Sequence, residues 1–196
     1  TLDNGTSIAC QTLVLANGIA ASSLASAIEL QPRKGHLVIT DHYPGFVRHQ
    51  IIELGYLKSA HAIQVDSVAF NVQPRRSGQV LIGSSRQYGV TEPNVDMKVV
   101  SQMLQRAFEY MPGLRTLSRI RSWTGFRAAT TDKLPLIGVY PGTENIYLAT
   151  GHEGLGITMS LGTARLLADL LLQRKSAIAR EPYSPRRRSG MREHRH

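Results

Sequence analysis

Apolar residues in this chain come in short runs broken by glycine, proline and asparagine, and the rhythm of the runs changes along its length. Asp3-Asn4-Gly5 is a hairpin-type turn signal. Ile8 to Ala16 reads as a strand closing on Leu13-Val14-Leu15-Ala16, and Asn17-Gly18 breaks it. Ile19 to Ile28, rich in Ala, Ser and Leu, reads as a short helix. The chain therefore opens on a βα corner, where ligands tend to sit at the strand's carboxyl end. Pro32-Arg33-Lys34-Gly35-His36 reads as a basic turn. Four strands are predicted after it: Leu37-Val38-Ile39-Thr40, Phe46 to Leu54, Ile63 to Val72, and Gln79 to Gly83. Consecutive strands at short spacing predict an antiparallel sheet, so a domain crossing is placed near residue 32.

Asn94 or Asp96 is the expected N-cap of a helix whose apolar face is Met97, Val100, Leu104, Ala107 and Met111. Its methionines read as core filling, and Pro112-Gly113 stops it. Leu117 to Thr124 reads as a strand, and Thr131-Asp132 with Leu134-Pro135 as a loop. Asn145 to Ala149 is a buried strand running into Thr150-Gly151-His152-Glu153-Gly154-Leu155-Gly156-Ile157-Thr158. A long helix is predicted from about Leu155 to Gln173, with Ile157, Leu161, Ala164, Ala168 and Leu171 as its buried stripe. Strand, glycine turn and helix in that order aim free backbone N–H groups at something negative, and also serve as a plain tight connection.

The 196 residues suffice for one good-sized domain or parts of two, and 42% hydrophobic content supplies a core. The chain begins with Thr and shows no charged-then-apolar leader, so it reads as a piece of a longer protein or a processed product. Net charge is +9, and eight Lys/Arg against two Asp/Glu place +6 of it from Arg174 onward. That stretch reads as a loose, solvated basic tail. It lacks stacking aromatics apart from Tyr183, so nucleic acid is not an expected partner. No apolar run reaches the length of a membrane span. The single Cys10 excludes an internal disulfide, reads as a packed thiol, and fits a reducing compartment. The expected location is cytoplasmic or peripheral at the inner membrane.

Arg127, in Trp123-Thr124-Gly125-Phe126-Arg127-Ala128-Ala129, is flanked by apolar and small residues. A guanidinium in such a setting needs a carboxylate. The residues alone favour an internal acid, Asp132 or Glu153, over a substrate carboxylate. His152 and Glu153 read as structural or capping groups before a general base. Seven histidines show no metal spacing, and no metal is expected. Neither Gly-x-Ser-x-Gly nor Gly-x-Gly-x-x-Gly occurs.

Five segments in register carry a family resemblance: Leu13-Val14-Leu15-Ala16-Asn17-Gly18, Pro32 to His36, Trp123 to Arg127, Leu134-Pro135-Leu136-Ile137-Gly138, and Leu148 to Thr158. Together they resemble the carboxyl-terminal half of the FAD-dependent D-amino-acid oxidase family, which includes glycine and sarcosine oxidases and D-amino-acid dehydrogenases. Tyr43 to Arg86 looks most like the proline or hydroxyproline dehydrogenase type. The resemblance implies an α+β and α/β architecture, an antiparallel substrate-domain sheet plus the C-terminal part of a Rossmann-like FAD-binding domain. On that reading residues 1–31 and 123–173 belong to the FAD domain, 32–122 to the substrate domain, and 174–196 to the tail. It implies FAD as cofactor and a small amino acid as substrate. A missing amino-terminal half or a partner subunit would supply the rest of the flavin site. By position it implies Arg127 for the substrate carboxylate. Ala16, Gly18, Gly151, His152, Glu153, Gly154, Leu155, Gly156, Ile157 and Thr158 would lie at the cofactor. His36 stands where the family usually has glutamine, and Tyr43 and Tyr56 are the candidates for an active-site tyrosine.

Overall fold

The computed structural model describes residues 1–55 and 66–187. The chain divides into two units: Thr1–Gln31 with Arg127–His196, and Pro32–Phe126. The divisions fall inside two long strands, β2 (Gln31–His42) and β6 (Arg119–Ala129).

The Pro32–Phe126 unit is built on a five-stranded sheet of order β3-β4-β5-β2-β6, with β3 at Ile51–Ile52, β4 at Ser67–Pro74 and β5 at Gln79–Tyr88. β3, β4, β5 and β2 pair antiparallel in that order. Following the short helix α1 (Ala21–Leu24) in sequence, helix α2, Met97–Tyr110, lies on one face of this sheet. Val38, Phe70, Val72, Val80 and Ile82 from the sheet meet Val100, Met103 and Ala107 from the helix in a buried core. Asp96 caps α2, its Oδ1 accepting from the amides of Lys98 (2.9 Å) and Val99 (3.3 Å). Of the methionines expected in the core, Met111 is half-buried while Met97, the first helical residue, is exposed; Met103 is the fully buried one.

The segment Pro32 to His36 is strand, not turn. Arg33 pairs with Tyr88 and Lys34 with Gln87 on β5, and the Arg33 guanidinium lies 4.6 Å from the Tyr88 ring centroid. Cross-strand partners that local composition does not show override the Pro-Gly turn signal. His36 is fully buried. Its Nε2 accepts from the Asp96 amide (3.0 Å), so the proton sits on Nδ1, 2.9 Å from Ser85 Oγ. His36 thus ties β2, β5 and the start of α2 together. Burial and the neighbouring Lys34 lower its pKa, only partly opposed by Asp96. The strand expected over Phe46 to Leu54 is reduced to β3. Part of the one expected over Ile63 to Val72, like Tyr56, lies outside the described residues.

The other unit holds a three-stranded sheet of order β1-β8-β7: β1 is Leu13–Leu15, β7 Leu136–Val139 and β8 Ile146–Thr150. β1 runs parallel to β8, and β7 antiparallel to it. The strand expected from Ile8 shortens to three residues, because only Leu13 to Leu15 find partners on β8. Cys10 is consequently exposed rather than packed. Leu15, Ala21, Ala25, Ile28, Leu136 and Leu148 form one core. Ile137, Leu166 and Leu167 form another, joined by Tyr147, Leu170, Ile178 and Tyr183.

Helix α3 runs over Ser160–Leu171, starting later than its expected Leu155. Its buried side is Thr163, Leu166, Leu167 and Asp169, not the predicted stripe. Ile157 is 93% and Leu161 84% exposed, and Leu171 is exposed as well. This segment is apolar on nearly every side, so periodicity does not select a face.

The described part of the basic tail is docked rather than loose. Arg187 donates from Nε to Asp132 Oδ2 (2.6 Å) and from Nη2 to Oδ1 (3.0 Å), with Nη1 on the Pro135 carbonyl (3.0 Å). Pro185 packs on Gly138 so closely that a Cβ there would sit 3.2 Å from Pro185 Cδ. No described helix is long and apolar enough to cross a membrane.

Candidate functional site

The carboxyl ends of β1 and β8 lie side by side because the two strands are parallel. Thr150 Oγ1 donates to the Gly18 carbonyl (2.8 Å), joining the turn after β1 to the end of β8. Gly18 has φ +63°, with open space where a Cβ would stand. Ala16 is exposed beside it. At Gly151 φ is +81°, and a Cβ would fall 2.7 Å from Thr130 Cγ2. Glycine is therefore required at 151 on both conformational and steric grounds.

The chain then passes His152, which bridges to Ala129 at the end of β6, and turns through a 3-10 segment at Glu153–Leu155. Glu153 itself adopts φ +52°. The amide of Leu155 donates to the His152 carbonyl (3.0 Å) and that of Met159 to the Leu155 carbonyl (2.9 Å). Between them, the amides of Gly156, Ile157 and Thr158 find no acceptor among the described residues. All three residues are exposed, as are Gly154 and Leu155. A row of unsatisfied N–H groups at a helix entrance suits an electron-rich partner. These donors precede α3 in an irregular turn rather than forming its first turn.

Arg127, half-buried, reaches this turn: a Cβ on Gly154 would lie 3.8 Å from its Cδ and 3.9 Å from its Nε. A Cβ at 154 would thus meet the arginine stem in ordinary van der Waals contact, which puts the stem directly beside this backbone. Of the two acids proposed for Arg127, Asp132 has both carboxylate oxygens engaged by Arg187. Glu153 is half-buried. His152 places Nε2 2.8 Å from Thr163 Oγ1, and its burial lowers its pKa. The structure thus gathers Arg127, Gly154 and the amides to Thr158 on one side of this unit, and Gly18 with Gly151 at the strand ends. Thr130, Thr150 and Thr163, which buttress these residues, are invisible to motif reading because their roles come from contacts distant in sequence.

Tyr43 does not announce itself as a site residue: its hydroxyl accepts from the Ser118 amide (2.9 Å). Among the described residues no group of three or more His, Cys, Asp or Glu is placed to hold a metal.

Parallel strand ends, glycine turns and a helix entrance converging in this way suit a nucleotide-type cofactor, and the family is shown directly. The chain belongs to the FAD dependent oxidoreductase family, whose model matches residues 1–170. FAD is the cofactor of that family. The chain is similar to glycine oxidase of Pseudomonas aeruginosa, with 27% identity over 177 residues that cover 88% of this chain and 45% of that protein. It is 32% identical over 174 residues to the bifunctional protein ThiO/ThiG of Nostoc sp., covering 86% of this chain and 24% of that one. Among solved structures, glycine oxidase from Geobacillus kaustophilus superposes with a TM-score of 0.76 at 26% identity, covering 91% of this chain and 46% of that chain. L-proline dehydrogenase from P. horikoshii shares the fold, with a TM-score of 0.73 at 22% identity, covering 89% and 46%. The chain spans about half the length of the glycine oxidases it matches.

Proposed function

We infer that this chain is the carboxyl-terminal half of an FAD-dependent enzyme that oxidises the C–N bond of a small amino acid, of the D-amino-acid, glycine/sarcosine or proline/hydroxyproline type. The observation that carries the reading is the Arg127 stem lying against Gly154, at the start of a turn whose Gly156, Ile157 and Thr158 amides have no described acceptor. Those residues fit a flavin: exposed N–H groups without side-chain obstruction at 154 and 156 suit the electron-rich edge of an isoalloxazine ring. Gly154 to Thr158 would hold that edge, with Ala16, Gly18 and Gly151 lining the strand ends beside it.

When bound, FAD supplies a two-electron acceptor for a hydride from the substrate α-carbon. The chain's own part is electrostatic and geometric. Oriented amides favour negative charge where they point, and a fixed array needs no reorganisation as charge develops. The Arg127 guanidinium offers two parallel donors to a carboxylate. Holding the carboxylate fixes the α-carbon's position and lowers the entropic part of the barrier. A protein acid or base is not required when the amine arrives neutral.

The test is Arg127→Ala in the complete protein. Losing a charge-assisted carboxylate contact costs about 1.5–3 kcal/mol, a rise in KM of roughly ten- to hundredfold, with FAD content unchanged. Arg127→Lys recovers part of the loss, since it restores charge without the fork. An unchanged KM removes Arg127 from the site.

A second reading makes this chain a subunit that completes a flavin site on a separate FAD-binding chain. It is favoured by the exposed apolar residues Leu13 and Val14 on edge strand β1 and Ile157 and Leu161 near α3. Purified chain that is yellow argues against it; colourless chain that gains flavin absorbance and activity only with a partner supports it.

A further inference from the structure

The geometry points to His152 as a positioning residue that, through the Thr163 hydroxyl, sets the amide turn 154–158 in place beside Arg127. Four contacts meet at this one residue. Its backbone bridges Ala129, two positions beyond Arg127 on β6. Its carbonyl accepts from Leu155 N–H and so closes the 3-10 turn. Its Cβ is where the turn returns: a Cβ on Gly156 would lie 3.7 Å away. Its Nε2 is 2.8 Å from Oγ1 of Thr163, a buried residue one turn inside α3. The preceding Gly151 has no room for a side chain, so the approach to His152 is closely packed as well. Arginine strand, amide turn and helix therefore share a single strut.

The turn needs such a strut. Three of its amides make no bond within the described protein, and the helix does not begin until Ser160. Backbone without internal hydrogen bonds is held by its neighbours or not at all. Burial keeps the imidazole neutral, so it positions without adding a second cation beside Arg127. His152 itself contacts no reacting atom in this assignment; it acts through the turn. The inference rests on the turn being the cofactor site proposed above.

The experiment uses the complete protein with Thr163→Val, Thr163→Ser, His152→Ala and His152→Gln, and the double variant of Thr163→Val with His152→Ala. Three quantities are read: backbone hydrogen exchange at Leu155 and Met159, the FAD dissociation constant by flavin fluorescence, and KM against kcat. A single neutral hydrogen bond is worth about 0.5–1.5 kcal/mol, so Thr163→Val and His152→Ala should each speed exchange and weaken FAD by roughly three- to tenfold. KM should rise with them more than kcat falls. Thr163→Ser, which keeps the hydroxyl, should behave as the parent, and His152→Gln should recover part of the loss. The double variant should be no worse than the larger single effect, because the two residues form one contact. Exchange at Leu155 and Met159 unchanged in both Thr163→Val and His152→Ala overturns the strut. If Thr163→Val does not fold, His152→Ala against His152→Gln decides the same point. Faster exchange with unaltered FAD affinity overturns the turn as a cofactor site, while Arg127→Ala reports on the substrate reading separately.

Discussion

Gly151 shows most sharply what one residue decides here. Its φ of +81° and the 2.7 Å approach of Thr130 Cγ2 are separate penalties for any side chain. Gly151→Ala should cost about 1–2 kcal/mol for the left-handed backbone and about 1–3 kcal/mol for overpacking, measured by urea unfolding. Adding Thr130→Ser removes the offending methyl but keeps the hydroxyl that donates to the Leu134 carbonyl. It should recover the packing component and leave the backbone component in place. His36 sets a pH dependence at the same scale. Its folded pKa lies below the ordinary value, so the unfolded chain takes up its proton first as pH falls. The stabilisation is whole above about 6.5. It is lost progressively as pH drops through the folded pKa, because the imidazolium cannot accept from the Asp96 amide. Lys34 deepens the effect and Asp96 opposes it. Comparing unfolding free energies at pH 7.5 and 5 should show a slope that is shallower in His36→Gln. His152, also lowered by burial, supplies part of the slope that remains.

At the level of elements, local signals and tertiary demands separate cleanly. Helix α2 obeys its local code, with Asp96 as cap, Val100 and Ala107 buried, and Pro112 at its end. Asp96→Ala should cost about 1 kcal/mol, read as a shift in denaturation midpoint. Strand β2 disobeys its local code, since pairing with β5 extends it through the Pro-Arg-Lys-Gly stretch. Helix α3 has a legible composition but not a legible orientation. Its Leu and Ala residues encircle it, and Ile137 and its neighbours on the sheet select Leu166 and Leu167. Charge alone does not show that the tail is docked. Arg187 is fixed by Asp132, some fifty residues earlier, and Pro185 and Tyr183 pack on the sheet side. Arg187→Ala should destabilise by roughly 1.5–3 kcal/mol and open the segment after Arg174 to limited proteolysis.

Over the whole molecule, the outward apolar stripe of the α3 segment has no described cover. Ile157 and Leu161 are the extremes, and Leu13 and Val14 on β1 are exposed as well. Solvated stripes of this size mark surfaces that bury against more protein. The chain spans about half the length of the glycine oxidases it matches. Leu161→Glu should leave the stability of the isolated chain within about 0.5 kcal/mol while reducing its self-association and apolar-dye binding. In the complete protein the same change should lower stability by roughly 1–3 kcal/mol, as expected for a charge placed in a buried contact. Equal tolerance in both settings would show the stripe to be a solvent face.

Taken alone, the amino-acid order determined the family, the alternation of βα corner and antiparallel strands, the capped helix, and the glycine-rich run that ends β8. These depend on neighbours a few residues apart, where turn chemistry and periodicity act directly. Only the tertiary structure decided that Arg127 lies on Gly154, that Gly151 has no room, that His152 meets Thr163, and which side of α3 is inward. Each of these joins residues brought together by packing, and an all-round apolar helix or a lone arginine carries no local mark of the partner it will meet.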